Sequence, residues 1–276
     1  MTPICRRMRP EEAEALTALL AAAYGSPRFG PTVARLSRMP NAAIQVLEAE
    51  GALRAAAAVV DYGRVAYLGI VGTDPAMQGR GFGRRIVEAA LAPVPAGRVI
   101  LLDASPAGAP LYEKLGFVDV DASVVLEAPG PVEAPPVPGL APMAEADLPA
   151  VAAYDAAVFG ADRTTGLREL FREHPDGAVC RRDGRVVGYG LRHPDRIGPV
   201  LAENQETAAA LVAMLSALAP AGPMTITVPS SHAAMLDHLR SSGVPELRRL
   251  RHMCRGGDRH PGDRRRIAAM ASFHLG

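Results

Sequence analysis

Gln78-Gly79-Arg80-Gly81-Phe82-Gly83 lies between a strand-like run, Val65 to Val71, and a helix-like run, Arg84 to Leu91. A turn with glycines at alternate positions lets backbone approach a ligand closely, because no side-chain carbon stands between them. The helix that follows offers unpaired backbone N–H groups and a partial positive charge at its start. Together they predict a receptor for phosphate or pyrophosphate.

Working outward, the first half alternates strands and helices. Ile4 to Met8 reads as a short strand. Pro10-Glu11-Glu12 opens a helix through Tyr24, since proline and acids suit a first turn. Phe29 to Arg38 reads as a second helix. Ile44 to Glu48, Leu53 to Asp61 and Val65 to Val71 read as strands parted by Glu50-Gly51 and Tyr62-Gly63 turns. Beyond the glycine turn, Ile86, Val87, Ala90 and Leu91 share one helical face. Val99 to Asp103 is a buried-type strand, Ala107 to Leu115 a helix and Phe117 to Leu126 a strand.

Pro129, Pro131, Pro135, Pro136 and Pro138, with Pro142 just beyond, rule out a helix or central strand near the midpoint. We read residues 128–139 as a semi-rigid linker between domains at 1–127 and 140–276. The second half repeats the order. Helices are expected from Ala146 to Phe159 and from Thr165 to Arg172, then strands at Gly177 to Arg181, Val186 to Arg192 and Ile197 to Leu201. A helix from Gln205 to Leu218, a strand at Thr225 to Val228, a helix at Ala233 to Ser241 and a strand near Leu247 to Met253 follow. The interval from Thr73 to Gly116 equals that from Val200 to Gly243, which supports a duplicated fold.

Composition narrows the classes. The 276 residues suffice for two ordinary domains, and no apolar run approaches a membrane span. The polar start, Met1 to Glu12, does not resemble a secretory signal. A net charge of +1 with scattered basic residues argues against nucleic acid as a partner. Lys114 is the only lysine, a skew that a GC-rich genome explains more simply than phosphate binding does. Cys5, Cys180 and Cys254 are odd in number and fit no CxxC pattern, so reduced thiols in a cytoplasmic protein and no metal site are expected.

Two segments carry a resemblance to a known family. Thr73-Asp74-Pro75-Ala76-Met77-Gln78-Gly79-Arg80-Gly81-Phe82-Gly83 resembles the Q/R-x-x-G-x-G/A loop of the GNAT acetyltransferase superfamily. Leu111-Tyr112-Glu113-Lys114-Leu115-Gly116-Phe117 resembles its LYEKLGF signature. The match covers about residues 3 to 127. The second half is similar to a degenerate GNAT domain through Phe159-Gly160-Ala161-Asp162-Arg163, Ile197-Gly198-Pro199-Val200 and Met270-Ala271-Ser272-Phe273. Its loop from Leu201 to Thr207 lacks the alternating glycines, so one working cofactor site per chain is expected. The resemblance implies an α/β (α+β) fold of two tandem GNAT-like domains, each a mixed, mostly antiparallel sheet flanked by helices.

It also implies an acetyl-CoA cosubstrate and transfer to a small-molecule primary amine, in a monomer or homodimer. Backbone from Gly79 to Arg84, including Arg80, Gly81, Phe82 and Gly83, would hold the pyrophosphate, with Gln78 beside it. Val71, Gly72 and Thr73 would pair with the pantetheine arm, and Ser105 would bond it through its hydroxyl. Tyr112 would be the general acid. Its phenol, of reference pKa ~10, stays neutral at pH 7, whereas a thiol of pKa ~8.5 leaves as thiolate. The family's usual glutamate in the fourth strand is absent from Val65-Ala66-Tyr67-Leu68-Gly69-Ile70-Val71, which leaves Asp103 as the carboxylate candidate and Asp61 as a poorer one. Either could instead cap a strand end or orient substrate. Tyr24, Arg28 and Phe29 are candidates for the acceptor wall. Asp155, Asp162 and Arg163 could reach the same cleft or could be solvated helix-end charges. The alternatives to small-amine acetylation are an acyl-CoA-sensing module without turnover and acetylation of a protein N-terminus.

Overall fold

The computed structural model of the chain describes residues 3–218 and 222–276. Its first half contains β1 (Ile4–Arg7), α1 (Ala13–Tyr24), α2 (Gly30–Arg38), β2 (Ala42–Ala49), β3 (Ala52–Asp61) and β4 (Val65–Thr73). It continues with α3 (Phe82–Leu91), β5 (Val99–Ala104), α4 (Ala109–Glu113) and β6 (Val118–Ala128). The second half repeats this order with β7 (Leu140–Pro142), α5 (Leu148–Phe159), α6 (Thr164–Glu173), β8 (Gly177–Arg182), β9 (Arg185–His193) and β10 (Arg196–Ala202). Then come α7 (Gln205–Ala217), β11 (Met224–Pro229), α8 (Ala233–Ser241), β12 (Glu246–Arg255) and β13 (Ile267–Ala269).

Local chemistry explains the ends. Pro10 heads a 3-10 turn that leads into α1, and Gly25, with φ 64°, closes that helix in the left-handed region. Asn204 caps α7 by accepting the Thr207 N–H at 2.9 Å. α3 buries Ile86, Val87, Ala90 and Leu91, the stripe read from the sequence. α4 is shorter than expected, because Gly108 and Lys114 flank only five helical residues.

The strands form one sheet in the order β1-β2-β3-β4-β5-β12-β6-β11-β10-β9-β8-β7, with β13 paired to β10. The two halves exchange strands. β12 pairs antiparallel with β5 on one side and with β6 on the other, and β6 also pairs antiparallel with β11. The first half's β5 is thus neighboured by a strand from the second half, and β11 by a strand from the first. Met253 and Cys254 of β12 are fully buried, and burying a side chain of this size contributes about 1.5–3 kcal/mol.

One apolar cluster joins α1 and α2 with α5 and α6 on a shared face, through Leu16, Val33, Phe159 and Leu170. α3 covers the opposite face of the first half, and α7 and α8 pack on the second. Arg35 and Arg38 of α2 reach Glu173 of α6, Arg35 at 2.5 Å, which ties the halves together.

Of the charges near the end of α5, exposed Asp162 fits the solvated reading, and the other two fit neither. Asp155 and Arg163 neither reach the cleft described below nor meet solvent; they are 0% and 3% exposed and paired at 2.6 Å. Tyr189 donates to Asp155 at 2.5 Å, and Arg163 donates to the Gly276 oxygen at 2.7 Å. Burial without full pairing would be prohibitive for such groups, and this network satisfies them. Asp162 only accepts the Thr164 N–H at 2.8 Å.

Candidate active site

β4 and β5 run parallel and pair only over Val65 to Tyr67. Beyond that point they separate while β4 continues to Thr73, so one edge of its backbone is left unpaired toward β5. A bulge marks the separation: the register with β3 shifts between Ala56 and Ala58, and Ile70 adopts φ 46°. A positive φ is rare for a β-branched residue and strained, and such strain persists only where surrounding structure enforces it. The result is a cleft of about 620 Å³.

At one end the cleft meets the glycine loop. Gly79 and Gly81 have φ of 75° and 79°, and a Cβ on either would meet nothing within 4 Å. Open space therefore faces that backbone. Gly81 is also the N-cap of α3, which has no side-chain cap, so the first-turn N–H groups are left for a ligand. Gly83 differs: its added Cβ would contact Thr73 and Leu111 at 3.5 and 3.6 Å, which is ordinary packing. The site fits a diphosphate bound by main-chain amides, which is what acetyl-CoA would present here. The side chains of Arg80 and Arg84 lie outside the cleft lining. Arg80 sits 6.0 Å over the Phe82 ring, and Arg84 pairs with Glu88 at 2.8 Å.

Val71, Gly72, Thr73, Gln78, Phe82, Ser105 and Tyr112 all line the cleft. Tyr112, from α4, is 8% exposed and packs edge-on against Phe117 at 5.9 Å. Burial pushes its phenol above the usual range, so it holds its proton throughout the neutral range. Ser105 accepts the Gly108 N–H at 3.2 Å, fixing the turn that starts α4. Tyr24 and Phe29 form a tilted aromatic pair with centroids 4.8 Å apart, and the Tyr24 hydroxyl donates to the Val71 carbonyl at 2.9 Å. Arg28 does not join them. It is exposed and pairs with Asp195 at 3.3 Å.

Asp103 is corrected as a base. Asp103 lines the cleft, but its carboxylate is fully buried within a network of its own. There it accepts from the Tyr67 hydroxyl and from Ser123 Oγ at 2.5 Å, and lies 3.2 Å from His252 Nδ1. Burial alone would raise its pKa, but His252, the Arg264 charge and the Ser123 hydrogen bond outweigh that and hold it at about 2. A carboxylate so saturated and so acidic is a poor proton acceptor. Asp61, at the far end of β3, accepts the Gly63 N–H at 2.8 Å and so caps a turn.

Sequence reasoning missed the second half's contribution to the lining: Arg248 and Leu250 of β12, and Phe273 and His274 from the closing segment. His274 is packed against Gly69 so closely that a Cβ there would lie 2.5 Å from the His274 Cβ and 2.6 Å from its Cα. Burial, together with the charges of Arg35 and Arg196, keeps the imidazole neutral, with its pKa well below the ordinary value. Arg35 Nη1 stands 3.5 Å from its Nε2 and, as a donor only, assigns that nitrogen the acceptor role. The absent carbon of Gly69 was the one available signal, and alone it does not name a partner.

The equivalent splay in the second half is filled. β10 and β11 pair in parallel only at Arg196 and Ile197, and β13 then pairs antiparallel with β10 at Val200 and Leu201. Met270 N–H donates to the Thr227 carbonyl of β11 at 2.8 Å, and a Cβ on Gly198 would fall 2.0 Å from the Met270 oxygen. Among the described residues, no cluster of His, Cys, Asp or Glu could hold a metal, and no helix is long and apolar enough to cross a membrane.

Comparison with known proteins agrees with this geometry in both halves. Acetyltransferase (GNAT) domain models match residues 40–119 and 151–269. The chain is 32% identical over 189 residues to YitH, an uncharacterized N-acetyltransferase of Bacillus subtilis, covering 66% of this chain and 67% of that one. It is 29% identical over 231 residues to the holothin acyltransferase of a Pseudoalteromonas species, covering 80% and 77%. A solved structure from Pyrococcus horikoshii superposes with a TM-score of 0.84 at 21% identity, covering 99% of this chain and 96% of the other.

Proposed function

The chain belongs to the GNAT acetyltransferase family in tandem form, and on that premise we propose that it moves an acetyl group from acetyl-CoA directly to a primary amine of a small molecule, in the first-half cleft. The observation that carries the reading is the continuity of that cleft from the amide-lined start of α3 to the Tyr112 ring. Bound there, acetyl-CoA would supply the thioester carbon that an amine attacks. The Gly79 to Arg84 backbone would hold the diphosphate, each hydrogen bond to a charged group contributing ~1.5–3 kcal/mol against ~0.3–1 kcal/mol for the helix end. The edge of Val71 to Thr73 that β5 leaves uncovered would align the extended arm, with the Val71 carbonyl already accepting from Tyr24. Tyr112 Oη would donate its proton to sulfur. The second-half splay, already occupied by β13, supports one cofactor site per chain.

No ionised side chain in the lining is suited to strip the amine. The Asp103 carboxylate is buried and already saturated, and burial, reinforced by the Arg35 charge, weakens His274 as a base. We therefore place deprotonation with water and with the amine's own equilibrium. A lysine-like amine of pKa ~10.4 is neutral only about one part in a thousand at pH 7.4, a handicap of ~4 kcal/mol, whereas an α-amine near pKa ~8 loses under 1 kcal/mol. Low-pKa amines are favoured accordingly.

The test is release of coenzyme A thiol across amino acids, polyamines, aminoglycosides and short peptides, for wild type and Tyr112→Phe. Turnover with at least one acceptor and a fall of about 10²-fold or more in the variant are expected, the range general acid–base catalysis supplies. Equal activity of the variant would remove Tyr112 from the role. The lack of a facing base also favours a second reading, an acyl-CoA sensor. Binding of acetyl-CoA by calorimetry with no turnover across the panel would decide for it.

A further inference from the structure

β12 runs past the end of β5: its pairing with that strand covers only Arg251 to Arg255, opposite Ala104 to Ile100. Arg248 and Leu250 therefore extend beyond β5 into the splay and line the cleft. The next two arginines along β12 are held. Arg249 pairs with Glu246 at 2.5 Å, and Arg251 with Asp119 at 2.5 Å and Glu113 at 2.7 Å. Arg248 has no carboxylate within 4.0 Å among the described residues, and its guanidinium instead lies 5.7 Å over the Phe273 ring. Of the other ionisable groups lining the cleft, Asp103 buries its carboxylate against Tyr67 and Ser123, His274 stays neutral through burial beside Arg35, and the Tyr24 and Tyr112 phenols keep their protons. The acceptor side of the cleft thus carries one uncommitted positive charge, no facing negative charge, and an aromatic wall of Tyr24, Phe29 and Phe273.

Resting on the acetyl-transfer reading above, we infer that the acceptor is an amine that also bears a carboxylate on an apolar body, and that Arg248 selects it. A lone guanidinium presents a planar fork that matches a carboxylate with two parallel hydrogen bonds. The aromatic wall suits an apolar body, and stacking on Phe273 holds the guanidinium in place without neutralising it. Polycationic acceptors meet only like charge here. The second half of the chain, whose own splay is filled, therefore contributes specificity to the first.

The test uses the full chain with acetyl-CoA and matched acceptors: aromatic and aliphatic amino acids, their methyl esters and their decarboxylated amines. The free acids are expected to show kcat/KM at least tenfold above their esters, although the ester amine is the less basic of the two. Arg248→Ala should raise KM for the acids by tenfold or more and erase the difference. Arg248→Lys should restore part of it, and the acetyl-CoA Kd by calorimetry should stay unchanged in both. Acids no better than esters and amines would overturn the inference. So would an Arg248→Ala effect confined to acetyl-CoA affinity, which would move Arg248 to the nucleotide end. Acetylation of none of them by a protein that binds acetyl-CoA would also overturn it while leaving the cofactor site standing. Failure to bind acetyl-CoA at all would bring down the acetyl-transfer reading itself.

Discussion

Glycines along the cleft are not equivalent, and their differences are measurable. At Gly81 a side chain would find space but not a comfortable backbone, since φ of 79° costs an L-residue roughly 1–2 kcal/mol and a β-branched one more. Gly81→Val is expected to lower coenzyme A affinity more than tenfold by calorimetry, whereas Gly83→Ala stays within about twofold of wild type. Similar losses from both would mean that helix packing, not ligand approach, selects these residues. At Gly69 the obstruction is the His274 backbone, which cannot swing aside like a side-chain tip. Gly69→Ala should cost about 1–3 kcal/mol in urea unfolding, the usual penalty of overpacking, and should raise acceptor KM by displacing the closing segment. An unchanged midpoint and KM would show that segment to be loosely held. At this scale the places of the glycine loop and Tyr112 along the cleft were legible from sequence, because both depend on local backbone and on an adjacent helix. The orientation of Asp103 was not. Period-two alternation along Val99 to Ala104 predicts two faces but not which one looks into a cleft that exists only after β4 and β5 part.

Among the elements, long segments with strong periodicity were readable to within a few residues, as α8 and β9 illustrate. β7 and β13 have three residues each and carry too few positions for a period to register. β13 nevertheless decides the fate of the second splay, and the segment after it is fastened by Arg163. Asp155→Asn leaves that arginine buried without its counter-charge. The expected loss is about 3–5 kcal/mol in denaturant unfolding, as for other broken buried pairs. Because Arg163 also holds Gly276, the variant should show weakened turnover although Asp155 lies outside the cleft. A stability change under 1 kcal/mol would mean that the pair is already solvated in solution.

Over the whole molecule, the exchange of β6 and β12 was the least legible feature. Nothing in the composition of Glu246 to Arg255 distinguishes pairing with β5 from pairing within its own half; the choice is made by tertiary packing of residues far apart in the chain. Five histidines are buried across the molecule, and two of them, His252 and His260, lie with ring centroids 5.5 Å apart. Burial holds His193 at about 2, and His232, His252, His260 and His274 all lie below the ordinary histidine value. Each is neutral when folded, while the unfolded chain takes up protons below about pH 6.5. Stability is therefore full above that pH and declines as the solution is acidified, each histidine contributing up to about 1.4 kcal/mol per pH unit. Asp103, held at about 2, extends the decline below about pH 4. Urea midpoints measured from pH 8 to pH 5 should be flat at first and then fall; a rise on acidification would contradict the burial of these rings.

β5 ends at Ala104, and the strand that covers its outer edge does not begin until Glu246. During synthesis, β12 must therefore emerge before the sheet between β5 and β6 can be sealed. Until then, β5 and β6 expose a gap the width of one strand, open to any other nascent chain. Closure of the sheet in that sense waits for β12 to emerge, and the exposure to mispairing lasts until that strand docks.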